Sequence, residues 1–248
     1  MRKSRRKPIF IIIEVIIVLA FLVGGGIALY PFFNSMYYNH RDQSLISEFS
    51  EFTMNIQKIR VDDEDNGSYK MISGLKEDLE EYNQQLITEG QGKINDIMEY
   101  SSFPVDINQY GLPDEMIGYI SIQAIGVKLP LYLGADYENM VKGAAVMGQT
   151  SAPIGGENTN CVIAGHAGWR GTNKFRYLEN LKLGDQIDIV NPWGTLTYNV
   201  VESKIIYPNE INEVLIRQRK DMITLVTCHP YSSNGEYRLL VYAERTEQ

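Results

Sequence analysis

An uncharged apolar stretch near the N-terminus constrains this chain more than any other feature. Eighteen consecutive residues from Val15 to Phe32 carry no charge, and the apolar segment extends back to Ile9 with Glu14 as its one carboxylate. At 1.5 Å per residue, such a helix can cross the roughly 30 Å hydrocarbon core of a bilayer. A cleavable signal peptide would have a shorter apolar region and a small-residue cleavage site, which we do not find. We therefore predict a transmembrane anchor over residues 9–32. The alternative, a buried core helix, is disfavoured by the length and the flanking charge.

Charges are distributed unevenly on the two sides of this anchor. Five of the 23 basic residues lie within residues 1–8, which form a basic tail. Basic flanks stay in the cytoplasm, so we predict a single-pass protein of the cell membrane with an extracellular body. Residues 32–248 hold 18 basic and 30 acidic residues. An acidic body argues against nucleic-acid binding, which depends on basic surface.

The segment after the anchor is predicted to be helical. Residues 34–60 form one helical stretch, and the acidic, Gly-containing sequence Val61–Ser68 interrupts it. Apolar residues then recur every three or four positions, at Met71, Leu75, Leu79, Tyr82 and Leu86. We assign residues 33–104 to a helical membrane-proximal segment, with a plain stalk as the simpler interpretation.

The hydrophobic period changes to that of β-strands from Met116 onward. Short β-rich runs, which Gly126 and Pro130 are predicted to break, precede two predicted hairpins: one over residues 186–206 around an Asn-Pro-Trp-Gly turn, the other over residues 221–245. The sequence KFRYLENLKLGD between them predicts one short helix that ends near Gly184. Six to eight short strands with few helices predict a mainly β fold, a barrel or a sandwich, over residues 105–248.

One constellation of residues could carry chemistry. Cys228 ends an apolar strand, and a cysteine nucleophile needs a partner, usually histidine, that favours the thiolate. His229 is its neighbour in sequence, but successive strand residues point to opposite faces. His166, at the end of its own strand, is the better candidate. Arg238 opens the return strand and could stabilise an oxyanion, with Arg170 as a weaker candidate.

Each of these residues also has a structural interpretation, since a cysteine in an apolar strand is most often an inert core residue. Cys161 and Cys228 could also form a disulfide in an extracellular body. Zinc sites need clusters or spacings of Cys, His and acidic residues that this sequence lacks, so we expect no metal or cofactor.

The same residues match a known family. The chain resembles a sortase, one of the membrane-anchored cysteine transpeptidases of Gram-positive bacteria. Thr224–Cys228 reads TLVTC and matches the family's TLxTC motif, while His166 and Arg238 match its histidine and arginine in the same order. The resemblance implies an eight-stranded barrel with His166 and Cys228 on neighbouring strand ends. Cys161 would then lie about 16 Å from His166 along its strand, too far from Cys228 for a disulfide.

Several stretches are most similar to class C, the pilus-assembling sortases. The resemblance implies that Cys228 attacks an LPxTG-like sorting signal of a secreted protein, that Arg238 stabilises the oxyanion and that His166 acts as acid and base. A pilin lysine would then accept the acyl group from the thioester. The Asp-Pro-aromatic lid motif of that class is absent. Residues 101–111 occupy its place, with Phe103 or Tyr100 as the predicted plug of the cleft.

Two alternatives stay open at this point. A housekeeping sortase would transfer the acyl group to an amine of the peptidoglycan precursor. A non-enzymatic surface module, such as an adhesin or receptor ectodomain, would keep the anchor and the β-rich body without a reactive thiol.

Overall fold

The computed structural model describes residues 8–62, 66–91, 94, 97, 101–168, 172–231 and 235–246. The N-terminal part is helical, as predicted. Helix α1 runs without interruption from Pro8 to Asp62, and its N-terminal part is exposed and apolar enough to span a membrane. The predicted anchor and the first membrane-proximal helix are therefore one continuous helix.

Helix α2 (Gly67–Glu89) begins where the side chain of Asn66 accepts a hydrogen bond from the backbone of Ser68. Such an N-cap satisfies a donor that the first helical turn leaves without a partner. One face of α2 is buried, and its residues are spaced by three or four as the sequence predicts. These residues are Ile72, Leu75, Leu79, Tyr82, Asn83 and Leu86.

The rest of the described chain forms a closed barrel of eight strands, which confirms the predicted fold class. The strands are β1 (Met116–Ile122), β2 (Val127–Leu133), β3 (Ala144–Val146), β4 (Thr159–Ala164), β5 (Gln186–Asn191), β6 (Gly194–Ile206), β7 (Asp221–His229) and β8 (Tyr237–Arg245). Their order around the barrel is β1-β2-β3-β4-β7-β8-β6-β5. The β2–β3 and β4–β7 pairs are parallel, and the other pairs are antiparallel.

Both helices pack directly on the barrel. Phe49 of α1 is fully buried and lies edge-on to Tyr119 of β1, with 6.4 Å between the ring centroids. The Tyr82 hydroxyl of α2 donates to the Thr150 carbonyl at 3.1 Å, and Asn83 accepts from the Ala152 N–H at 2.7 Å. Truncating a buried side chain such as Phe49 costs about 3–5 kcal/mol in comparable cores. The membrane-proximal helices thus share the hydrophobic core with the barrel and are more than a stalk.

The structure differs from the sequence-based expectation in three places. The helix predicted before Gly184 is only a 3₁₀ turn at Leu178–Asn180. Pro130 lies inside β2, where it is tolerated because pairing with β3 begins one residue later, at Leu131. The third helix, α3 (Tyr137–Lys142), was not predicted, since six residues are too few to show a helical period.

Candidate active site

The β4–β7 pairing brings His166 and Cys228 to the same end of the barrel. These parallel strands pair from Thr159 opposite Asp221 to Ala164 opposite Val226. Contact continues beyond the ladder, because the Gly165 N–H donates to the Val226 carbonyl at 3.1 Å. The Thr227 hydroxyl in turn donates to the Gly165 carbonyl at 2.8 Å. His166 follows Gly165, and Cys228 follows Thr227. The two residues therefore lie at the same level of the barrel, on backbones about 5 Å apart.

Arg238 joins them through the antiparallel β7–β8 pair, in which Cys228 lies directly opposite Arg238. The Arg238 Nε donates to the Ile97 carbonyl at 2.9 Å, and Nη1 donates to the Gly235 carbonyl at 2.6 Å. The structure therefore brings together all three residues that the sequence predicted for the site. Cys228, His166 and Arg238 are each half-buried, so a substrate can reach them.

The three residues also share one face of the sheet. Buried residues of these strands divide between two apolar clusters by the alternation of strand positions. Even-numbered residues such as Val162, Val226 and Leu240 belong to the smaller cluster, and odd-numbered ones such as Ile163 and Leu225 to the larger. His166, Cys228 and Arg238 continue the even series. His229 is odd-numbered and pairs with Tyr237, so it belongs to the other face of the sheet. This was expected from its place beside Cys228.

Gly235 closes the site on the side of the β7–β8 loop. Its φ is +80°, a conformation that glycine adopts readily and other residues adopt at a cost. A Cβ atom added there would lie 3.0 Å from Arg238 Nη1 and 3.5 Å from Cys228 Sγ. The sequence carries no signal for this contact between Gly235 and the thiol, because loop chemistry does not specify packing.

Three comparisons with known proteins bear on this arrangement. A family model described as the sortase domain matches residues 120–246. The chain belongs to the sortase family.

Individual relatives agree with this assignment. Sortase D of Bacillus subtilis (strain 168) is 30% identical over 130 residues, which cover 52% of this chain and 63% of that relative, less than two thirds of its length. Sortase C1 of GBS Pilus Island 1 has a TM-score of 0.67 at 26% identity, covering 84% of this chain and 93% of that chain. Sortase C of Clostridium perfringens, solved with the C-terminal cell wall sorting motif, has a TM-score of 0.63 at 29% identity, covering 82% and 100%.

The electrostatics of this sortase favour a neutral His166. Burial and, to a smaller degree, the nearby charge of Lys174 together lower the pKa of the imidazole to about 4. Near neutral pH the imidazole is therefore an acceptor of protons, as a general base must be.

The two cysteines have different surroundings, and both are free thiols. Cys161 is buried in β4 opposite Ile223, five residues from the level of Cys228. Burial raises the pKa of the Cys161 thiol well above its usual range. The structure thus agrees with the interpretation of Cys161 as a small core residue and contains no Cys161–Cys228 disulfide.

The segment ahead of the barrel lies differently from the prediction. Phe103 packs edge-on against Tyr82 of α2, with 4.8 Å between ring centroids, so its ring serves the contact between α2 and the barrel. Ile97, several residues earlier, contacts the site instead: it is fully buried, and its carbonyl accepts from Arg238. Tyr100 and Arg170 lie outside the described residues. No local pattern marks Ile97, because its role depends on a backbone carbonyl that every residue has.

Two loops beyond the strand ends form a rim beside the site. The Tyr231 ring packs on the backbone of Gly168, where an added Cβ would lie 2.9 Å from ring atom Cε2. The Arg176 guanidinium stacks on the same ring, 3.9 Å from its centroid. The loop after Cys228 and the loop after His166 are thereby held together.

Proposed function

We propose that this sortase is a cysteine transpeptidase that cleaves LPxTG-like sorting signals and transfers the acyl group to an amine, with Cys228, His166 and Arg238 as its catalytic residues. The observation that carries the proposal is their common position. The β4–β7 register brings His166 level with Cys228, the β7–β8 register brings Arg238 opposite it, and all three share one face.

The chemistry follows from these three groups. His166 takes the proton of the Cys228 thiol as sulfur attacks the carbonyl carbon of the scissile Thr–Gly bond. The charge that develops on the carbonyl oxygen is stabilised by the guanidinium of Arg238, which stays protonated. The C–N bond then breaks, and His166 returns the proton to the leaving glycine amine. A thioester remains, so one difficult step becomes two easier ones.

The second half of the reaction uses the same groups in reverse. An incoming amine attacks the thioester carbonyl and gives its proton to His166. The C–S bond breaks, and the proton returns to the sulfur of Cys228. We propose a pilin lysine as the acceptor, because the similar structures include sortase C1 of a pilus island and several other class C sortases. The second candidate is a peptidoglycan amine, the acceptor of a housekeeping sortase, because the relatives also include sortases outside class C by name, sortase D and sortase A.

The contact between Ile97 and Arg238 bears on substrate entry. The Ile97 carbonyl occupies one edge of the guanidinium. A substrate carbonyl that binds Arg238 would share the guanidinium with Ile97 or replace its carbonyl there. The sorting signal therefore meets a guanidinium that already donates a hydrogen bond to a group of the chain itself.

We also propose that α1 anchors the enzyme in the cell membrane, with the N-terminus in the cytoplasm and the barrel outside. Support comes from the exposed apolar part of α1 and from the basic residues that precede it. In this arrangement residues 33–104 hold the barrel beside the membrane. Tethering raises the effective concentration of secreted substrates that emerge there.

Single substitutions test the proposed function. Cys228→Ala, His166→Ala and Arg238→Ala should each abolish thioester formation with an LPxTG peptide and polymerisation of a pilin substrate. His229→Ala is the matched control, since it removes the adjacent histidine and should retain activity. Loss of activity in His229→Ala together with an active His166→Ala would overturn the assignment. An enzyme that forms the thioester but accepts only peptidoglycan amines would favour the second candidate, and an unreactive Cys228 would favour a non-enzymatic module.

A further inference from the structure

A lysine outside the proposed triad is buried near the site. Lys174 is 5% exposed, and its Nζ donates to the carbonyls of Met140 at 2.9 Å, Val141 at 2.7 Å and Gly143 at 3.3 Å. These carbonyls form the C-terminal end of α3. The last carbonyls of a helix have no donor within the helix and carry partial negative charge. The ammonium group of Lys174 therefore caps α3.

The residue after Lys174 holds His166. The Phe175 N–H donates to the His166 carbonyl at 3.0 Å. The Phe175 ring is fully buried against Gly165, where an added Cβ would lie only 2.5 Å from ring atom Cδ2. The backbone at and before His166 is thus fixed by Phe175, and Phe175 is fixed to α3 through Lys174.

Helix α1 reaches the same end of α3. The Arg41 guanidinium donates to the Lys142 carbonyl and holds the carboxylate of Asp42 at 2.8 Å. Burial lowers the pKa of Lys174 to a net value of about 8; the charge of Asp42, itself 7% exposed, raises it, and Arg41 lowers it. A buried ammonium group is costly unless an opposite charge and hydrogen-bond acceptors surround it. Asp42 and the three carbonyls supply both.

An apolar side chain could fill this position without the cost of burying a charge. The charged lysine instead joins α3 to the segment after β4. This junction lies next to the hydrogen bond from Phe175 to the His166 carbonyl. We propose that Lys174 is a positioning residue: it fixes the segment after β4 to the C-terminal end of α3 and so sets the position of the His166 imidazole relative to Cys228. The proposal rests on the acid–base role of His166 given above.

The test compares Lys174→Met, Lys174→Gln and Lys174→Arg with the wild-type full chain in detergent micelles. Met removes the donors and the charge, Gln retains donors without charge, and Arg retains both. In Lys174→Met we expect kcat for LPxTG peptide cleavage to fall by about ten- to a hundredfold, the usual effect of a small misplacement, with little change in KM. Lys174→Gln should lie between Met and wild type, and Lys174→Arg should recover part of kcat.

Lys142→Met is the matched control. Lys142 lies at the same end of α3, but its Nζ stands over the Tyr132 ring, 5.4 Å from the centroid. Removing this charge should leave kcat unchanged.

A second readout tests whether Lys174 acts on His166 itself or only on the stability of the protein. The imidazole of His166 is titrated by NMR, with its signals assigned by His40→Gln and His229→Gln variants. Loss of the Lys174 charge should move the titration midpoint of His166 upward from about 4, towards the ordinary value for histidine. If a Lys174 variant changes only the thermal unfolding midpoint, the role of Lys174 is purely structural.

The proposal is overturned if Lys174→Met or Lys174→Gln is folded and keeps the wild-type kcat, whatever the His166 titration does, because loss of a nearby charge by itself moves that midpoint. Should Lys174→Met fail to fold, the Gln and Arg variants decide the matter by the same two readouts. A wild-type enzyme that cleaves no peptide would refute the proposed function, while the NMR comparison would still test whether Lys174 acts on the imidazole.

Discussion

Gly235 packs directly on Cys228: a Cβ on Gly235 would stand 3.5 Å from the Cys228 sulfur, in van der Waals contact. The same Cβ would lie 3.0 Å from Nη1 of Arg238, which already donates to the Gly235 carbonyl. One glycine therefore lies against both the nucleophile and the oxyanion donor of the proposed mechanism.

Gly235→Ala is expected to lower kcat/KM for peptide cleavage by about ten- to a hundredfold, because the added methyl group crowds and displaces the guanidinium of Arg238. The positive φ adds strain of about 1–2 kcal/mol for a residue with a Cβ. Steady-state kinetics and thermal unfolding of the same samples measure the two effects.

Gly184→Ala is the control for this strain. Gly184 has a φ of +86° but nothing within 4 Å of its Cβ position, so alanine there is strained without crowding the site. Its unfolding midpoint should fall while kcat/KM stays near wild type. Equal losses of activity in the two variants would show that strain alone explains the effect of Gly235→Ala.

Gly165→Ala is expected to destabilise the protein and to impair catalysis together. The new Cβ would lie 2.5–2.9 Å from three atoms of the buried Phe175 ring, and overpacking of this kind costs about 1–3 kcal/mol. The ring must then move, and the hydrogen bond from Phe175 to His166 moves with it. Chemical denaturation gives the change in the free energy of unfolding, and peptide cleavage gives kcat.

Gly74→Ala, inside α2 with nothing within 4 Å of the Cβ position, is the matched control. It should stabilise the protein by about 0.5–1 kcal/mol, since alanine is the better helix former. A Gly165→Ala variant as stable and active as Gly74→Ala would contradict the close packing of Phe175 on Gly165.

The stability of the protein should depend on His166 at mildly acidic pH. Burial and Lys174 lower the pKa of His166 from 6.5 to about 4 in the folded protein, so between these values the unfolded chain binds the proton more readily. Stability must then rise with pH over this range and be lost as pH falls from about 6.5 towards 4. Denaturation of wild type and His166→Gln at several pH values measures this.

The expected result is a stability difference between the two proteins that is constant above about pH 6.5 and shifts against the wild type below it. A difference that stays constant down to pH 4 would mean that the imidazole titrates alike in the folded and unfolded states.

The two cysteines should react differently with iodoacetamide near neutral pH. Cys228 is half-buried beside His166, whereas Cys161 is 3% exposed and burial raises the pKa of its thiol. Because the thiolate is the nucleophile, we expect labelling of Cys228 alone in the folded protein and of both residues after denaturation. Mass spectrometry of tryptic peptides locates the label, and Cys228→Ala should take up none in the folded state. Modification of Cys161 under native conditions would contradict its buried position.

Local sequence patterns determined much of this molecule. The uncharged stretch from Val15 to Phe32 defined a helix able to span a membrane, and the three-to-four spacing in α2 defined its buried face. The two hairpins, β5–β6 and β7–β8, followed from alternating apolar residues on either side of turn residues. Strand alternation also separated His229 from Cys228. Each of these features depends on neighbours within a few positions, which is the range over which a period acts.

The tertiary structure alone decided which residues from distant parts of the chain lie next to one another around the site. His166 and Cys228 are 62 positions apart, and only the parallel β4–β7 pairing brings them level; the sequence supplied this through a family motif and not through any period. The carbonyl of Ile97 on Arg238, the packing of Gly235 on Cys228 and the capping of α3 by Lys174 left no signal in the sequence. The physical reason is that a period records which face a residue presents, whereas backbone carbonyls and close contacts between distant segments arise only when the barrel closes.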